Sequence, residues 1–502
     1  MSNASEPSAA AMAGEATARK SHDGMILALA CVAQFMVILD VSVVNVALPS
    51  IGKALGYSPT GLQWVVNAYV LAFAGFLLLG GRAADLFGRR KVFIGGAVLF
   101  SVASLVGGLA TTSGMLTGAR VAQGLGGALL SPATLTIIVT TFQGPKLAKA
   151  LGAWGAVGGA GGAIGSLLGG ILTAELSWRW VLFINIPIGI AVVAGALVYL
   201  TELVRRTPST KLDVAGALLV TAGLSTLVYA IVNTDTHGWG SAYTLEWLAA
   251  AVVLLIAFAV VEMRVATSPL IPFSFFKNRI TASANLVMFL VGAAFFSMWY
   301  FLTLYLQDVL HFSALKTGFA FAPQAVAIII GAQVTTRLMV KVGVWPMIMA
   351  GTTIAFIGFF WIAHLSYNSS YFGGVFFPAI TIAFPLGLLF SPLAAAATSQ
   401  VDHTQAGLAS GVLNTARQMG GSLGLAILAT IAYNETQSFI TGHHSAGGSA
   451  VSPSIVKAQA FTAGYNHAFM VAAGVCLVAM AATFFIPRDL GKPQRNAAAA
   501  AE

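Results

Sequence analysis

The sequence predicts an all-α membrane protein that crosses the bilayer many times, and three observations carry that prediction. Hydrophobic residues make up 58% of the chain and charged residues only 8%, where a soluble domain carries about 25% charged residues. Apolar runs of about twenty residues recur from end to end, the length a helix needs to cross about 30 Å of hydrocarbon. Between two of these runs, residues 81–91 (GRAADLFGRRK) gather Arg82, Asp85, Arg89, Arg90 and Lys91 into a turn too polar to lie in lipid.

The runs fall near 25–48, 64–80, 92–110, 115–142, 150–172, 181–203, 212–232, 245–265, 284–306, 318–340, 347–365, 372–397, 408–433 and 468–486, giving fourteen expected spans. Residues 1–23 are rich in Ala, Ser and Glu and precede an unbroken apolar run, so they read as a tail and not as a cleaved signal. The first span carries Asp40, and the second and third flank the basic turn. The fourth carries Arg120, the fifth is rich in glycine, and the sixth follows Trp178-Arg179-Trp180. The seventh and eighth keep their charges, Asp213, Glu246 and Glu262, near their ends. The ninth holds a cluster of aromatics, and the thirteenth carries Arg417. Cys31 and Cys476 lie inside apolar runs and read as small packing residues.

The net charge of +9 points to a membrane and not to nucleic acid, because of where the cations sit. With a cytoplasmic amino terminus, 19 Lys and Arg fall in the tails and cytoplasmic loops and four, Lys53, Arg179, Lys316 and Lys457, on the other side, with Arg120 and Arg417 left within spans. The positive-inside rule then places both termini in the cytoplasm of a multi-pass inner (plasma) membrane protein surrounded by lipid.

An internal repeat groups the spans. Gly127-Ala128-Leu129-Leu130-Ser131-Pro132 recurs as Gly387-Leu388-Leu389-Phe390-Ser391-Pro392. Gly161-Gly162-Ala163-Ile164-Gly165 resembles Gly420-Gly421-Ser422-Leu423-Gly424, and Arg82 with Gly88 resembles Arg337 with Gly343. Span four therefore maps onto span twelve, so two spans are inserted between two six-helix halves. The expected layout is a tail (1–23), a first bundle (24–204), an inserted hairpin and linker (205–275), a second bundle (276–488) and a tail (489–502). Repeated halves enclosing a site are a recurrent transporter plan.

Four segments carry a family resemblance. Residues 81–91 resemble the loop motif G-x-x-x-D-x-x-G-R-[RK] of the major facilitator superfamily. Residues 39–49 resemble the first-helix motif LDxTVVNVALP of its fourteen-helix drug:proton antiporter branch, with Ser42 in place of Thr. Residues 120–127 resemble the fourth-helix motif RxxQGxGG, and residues 178–189 resemble the segment entering helix six. The glycine-rich fifth span is similar to the exporter motif G-x-x-x-G-P-x-x-G-G, with Ser166 where Pro is expected. The resemblance implies a major facilitator fold and proton-coupled export of drugs or antibiotics, with Asp40 and Arg120 in proton coupling. It also implies a conformational latch made by Gly81, Arg82, Asp85, Gly88, Arg89 and Arg90. The acidic partner that often ends helix four is absent from residues 140–143.

The residues themselves support part of this. No phosphate-loop motif occurs, since Ile51-Gly52-Lys53-Ala54 lacks the hydroxyl residue and the upstream glycine, which leaves an ion gradient as the energy source. Asp40 is the one acidic residue deep in an expected span, where low dielectric disfavours the charged form and lets a carboxyl group bind and release a proton. Arg120, Gln123, Gly124 and Gly127 share a helical face. Gly158, Gly162, Gly165 and Gly169 form a small-residue stripe suited to close helix packing or to a hinge. Asp40, Asn45 and Gln123 with Phe295, Phe296, Met298, Trp299 and Tyr300 are expected to line a cavity for small lipophilic or cationic compounds. Asn414, Arg417 and Gln418 are expected at a gate. No nucleophile, metal-ligand cluster or acid pair suggests an enzyme, a metal or a cofactor. A carrier of one endogenous metabolite and a non-transporting membrane sensor or assembly protein stay open as alternatives.

Overall fold

With no water to satisfy their amides, long apolar runs close hydrogen bonds along their own chain and fold as helices. A computed structural model describes residues 9–200, 212–267, 269–271, 273–401, 406–445, 452–488 and 490, and among them there are helices and no strand. The long helices are α1 (Ala9–Leu55), α2 (Trp64–Phe87), α3 (Arg89–Gly108), α4 (Ser113–Thr141), α5 (Gly144–Glu175), α6 (Asn185–Tyr199), α7 (Val214–Val232), α8 (Ala242–Val260), α9 (Arg279–Leu304), α10 (Ala314–Val342), α11 (Val344–Ile362), α12 (Phe376–Thr398), α13 (Ala406–Ser445) and α14 (Pro453–Thr483). Among the described residues, twelve helical segments are long and apolar enough to cross a membrane. Neither α5 nor α13 is among the twelve. In α5 the described apolar stretch is 164–175, and α13 carries polar residues along its length, including Arg417, Gln418 and Ser422.

Two local outcomes differ from the sequence expectation. The basic turn contracts to a single residue: residues 81–87 finish α2, Arg89 begins α3, and Gly88 between them has φ +97°. Glycine tolerates that left-handed backbone because it has no Cβ. Gly343, its repeat partner between α10 and α11, has φ +88°. The stretch between the last two expected spans, 408–433 and 468–486, is largely helical as well, since α13 runs on to Ser445 and α14 starts at Pro453.

The packing partners come in matching sets. In the first six helices α1 lies on α5, α2 and α3 on α4, and α3 on α6. In α9 to α14 the same pairs recur as α9 on α13, α10 and α11 on α12, and α11 on α14. Glycines allow these close approaches: a Cβ on Gly80 of α2 would collide with the Ala128 carbonyl of α4, and one on Gly331 of α10 with the Phe384 carbonyl of α12. Helices α7 and α8 pack on each other, and α7 also touches α2 and α13.

The two sets meet through α5 with α10 and through α2 with α13. At the end opposite Gly88 they close on each other. Gly170 sits against the backbone of Ala314 and Leu315, Gln307 Nε2 donates to the Val46 carbonyl at 2.9 Å, and Tyr300 Oη reaches the Pro59 carbonyl at 3.5 Å.

Candidate functional site

The chemistry concentrates around Asp40, which α1 carries near the centre of the first helical set and which is fully buried. Arg120 of α4 forms an ion pair with Asp40 Oδ2 through Nη1. Gln123, one turn further along the same face, donates from Nε2 to Asp40 Oδ1 at 3.0 Å, and Asn185 at the start of α6 donates from Nδ2 to the same oxygen at 2.8 Å. Ser104 Oγ of α3 accepts from Gln123 Nε2 at 2.6 Å and from Asn185 Nδ2 at 3.3 Å. Arg120 completes its bonding through Nε to the Val65 carbonyl at 2.9 Å and through Nη1 to Gln123 Oε1 at 2.9 Å, and its guanidinium lies 4.4 Å from the centre of the Tyr69 ring. All six side chains are buried to within 1% of complete. Five helices, α1, α2, α3, α4 and α6, thus meet on one charge pair.

Taking two charges out of water is costly unless both are paired and hydrogen bonded. Here the carboxylate accepts three bonds and the guanidinium donates to three acceptors while covering an aromatic face. One polar atom in the cluster has no partner, Asn185 Oδ1. It is an acceptor on the same amide whose Nδ2 donates to Asp40. Asp40, Arg120 and Gln123 were legible in the sequence. Ser104, Tyr69 and Asn185 were not, although Asn185 lies in the segment that resembles the entry to helix six.

The remaining expected residues are distributed as follows. Asn45 is half-buried on α1. Gly165 and Gly169 press on α1, where a Cβ would strike Ser42 and the Val43 carbonyl. Gly162, by contrast, faces open space, and Gly161 takes the place expected of it by packing on Ile38. Gly158 lies in α5, and its surroundings are outside what is described. Ser166 bonds its hydroxyl to the Gly162 carbonyl at 3.0 Å inside a continuous helix, so no proline kink forms. Ser42 Oγ donates across to α5, to the Gly161 carbonyl at 3.2 Å.

At the Gly88 end, Gly81 sits beside Pro132, Arg82 and Arg89 are half-buried, and Arg90 Nη2 donates to the Leu197 carbonyl of α6 at 2.7 Å. The Asp85 side chain lies outside the described residues. The aromatic cluster of α9 divides. Phe295 and Met298 are sealed in the core, with Phe295 edge-on to Phe359. Phe296 and Trp299 are half-buried, and Tyr300 lines a cavity of about 540 Å³ with Phe301, Tyr465 and Lys457. Arg417 donates through Nε and Nη2 to Asn414 Oδ1 at 3.2 and 2.9 Å, and Gln418 next to it is buried. Among the described residues no group of His, Cys, Asp and Glu could hold a metal ion.

Comparisons with known proteins agree on one family. A model described as Major Facilitator Superfamily matches residues 30–425. Cephamycin export protein CmcT of Amycolatopsis lactamdurans is 46% identical over 418 residues, covering 83% of this chain and 86% of the relative. Puromycin resistance protein pur8 of Streptomyces alboniger is 37% identical over 460 residues, covering 91% and 89%. Among solved structures, a bacterial homolog of the human lysosomal transporter Spinster superposes with a TM-score of 0.64 at 16% identity, covering 95% of this chain and 99% of that one.

Proposed function

The chain belongs to the major facilitator superfamily and is a transporter, not an enzyme, and from that premise we propose that it is a proton-driven exporter of small lipophilic antibiotics and related drugs. The names of its relatives, an export protein for cephamycin and a resistance protein for puromycin, support the direction and the class of cargo. The observation that carries the proton half of the reading is the sealed cluster around Asp40. A proton arriving there neutralises the carboxylate and removes its hold on Arg120, Gln123 and Asn185. Because those partners belong to α4 and α6, one protonation alters the contacts of several helices at once. Proton occupancy thereby selects between conformations, as alternating access requires.

The architecture in this reading is fourteen crossings: two six-helix halves, α1 to α6 and α9 to α14, with α7 and α8 as an inserted hairpin. The repeated packing pairs support it. Both termini face the cytoplasm, which puts Gly88 on the cytoplasmic side and makes the closed end of the bundle the external one. Residues 81–90, with Arg90 tied to the end of α6, act as the cytoplasmic latch. Gly165 and Gly169 keep α1 and α5 in close contact as the halves rock, and Asn414, Arg417 and Gln418 form part of the inner pathway.

Proteoliposomes with an imposed pH gradient and a panel of cationic dyes and antibiotics test the proposal. Accumulation of one or more compounds that collapses when the gradient is dissipated is the expected result. Accumulation indifferent to the gradient would rule out proton coupling, and no accumulation of any compound would rule out export.

A further inference from the structure

Among the described residues, Arg417 is a cation at membrane depth with no carboxylate paired to it, and that bears on what is carried. Asp40 and Arg120 cancel each other. The Asp40 carboxylate, which on sequence grounds could attract a cation, is already held by Arg120, Gln123 and Asn185 and is 0% exposed. Arg417 has no such counterpart: its only described polar partner is the neutral Asn414 amide, and no carboxylate among the described residues pairs with it. It lies about 16 Å along α13 from Ala406 at ~1.5 Å per residue, well away from the helix start.

The surroundings of Arg417 suit a ligand. A guanidinium carries five N–H donors in a planar fork, and Asn414 occupies two of them. Arg417 is half-buried and its guanidinium stands 5.9 Å from the ring of Phe390, which is 49% exposed beside the exposed Ser391 of α12. Polar side chains at membrane depth face an interior or watery path and find partners there, so a guanidinium with free N–H donors and no counter-charge, beside a half-exposed aromatic ring, describes a place for an aromatic or amphiphilic anion. A carboxylate is the group a guanidinium fork holds best, through two parallel hydrogen bonds.

We infer that the compounds carried by this chain bear an anionic group, a carboxylate or its equivalent, which pairs with Arg417 in transit. The inference rests on the exporter reading above and narrows its cargo.

The test uses benzylpenicillin and its uncharged methyl ester, a pair alike in shape and opposite in the feature that matters. Binding to the full-length protein is measured in phosphatidylcholine liposomes with and without phosphatidylglycerol, for wild type, Arg417→Gln and Arg417→Lys. Wild type should bind the free acid about tenfold tighter than the ester, with the preference falling as salt rises. Arg417→Gln should abolish the preference while leaving ester binding in place, and Arg417→Lys should keep part of it. The preference should appear in both lipid mixtures, because the anion is the cargo. Equal affinities for acid and ester in wild type, or a preference unchanged in Arg417→Gln, would overturn the inference. So would an Arg417 effect confined to phosphatidylglycerol, since the counter-charge would then be a lipid headgroup. Gradient-driven transport of cationic dyes that is undisturbed in Arg417→Gln, with no binding of the acid, would overturn the anionic cargo and leave the exporter reading standing. Failure of every compound to move under a gradient would sink the exporter reading itself.

Discussion

Asp40 and Arg120 are two halves of one buried unit, so removing either should expose the cost of the other. Arg120→Leu leaves a sealed carboxylate without its cation and should destabilise the protein by about 3–5 kcal/mol, read as a large fall in Tm of the detergent-solubilised protein. Asp40→Asn with Arg120→Gln should recover much of that loss, and a double variant no more stable than Arg120→Leu would show that the pair is not the cause. Asn185 acts on the same carboxyl group. Asn185→Leu withdraws one of the three donors that hold the carboxylate, a bond to a charged group worth about 1.5–3 kcal/mol, so gradient-driven transport should fall about tenfold or more in a folded protein, and unchanged transport would separate Asn185 from the site. The reason Asp40 and Arg120 were legible and Asn185 and Ser104 were not is physical. A charge inside an apolar run stands out in one dimension, whereas a small polar residue acquires meaning only when separate helices bring it into one hydrogen-bonded cluster.

At the scale of the element, the helices followed from apolar length alone, but their ends did not. Polar residues at membrane faces extend helices as readily as they end them, which is why 434–445 continues α13 and why the basic turn reduces to Gly88. Gly88→Ala should cost about 1–2 kcal/mol, the penalty of a left-handed residue with a Cβ, and a Tm equal to wild type would show that the turn relaxes. The glycine stripe was legible as a stripe but not in its facing. Gly165→Leu should drive α1 from α5, because a Cβ there meets Ser42 and comes within 3.1 Å of the Leu39 carbonyl. Gly162→Ala should be nearly neutral, since nothing lies within 4 Å of its Cβ. Equal yields of folded protein from both variants would contradict that assignment of faces.

For the whole molecule, the segments repeated at offsets of about 255 to 260 residues lie on helices with corresponding packing partners. What the sequence does not display is which end of the bundle is closed. Cysteines at positions 170 and 314, where α5 and α10 touch, should cross-link from the external side and stop transport until reduced. Cysteine scanning along α7 and α8 should show lipid contact and no protection by substrate. Protection at positions in both helices would bring the hairpin into the pathway. The central claim is that proton occupancy of Asp40 is coupled to the movement of cargo, and its most direct test is the internal pH of proteoliposomes into which a transported compound is driven by its own gradient. Wild type should move protons in the opposite direction. Asp40→Asn should move none while still exchanging labelled compound across the membrane, whereas proton movement in Asp40→Asn equal to that of wild type would contradict the account.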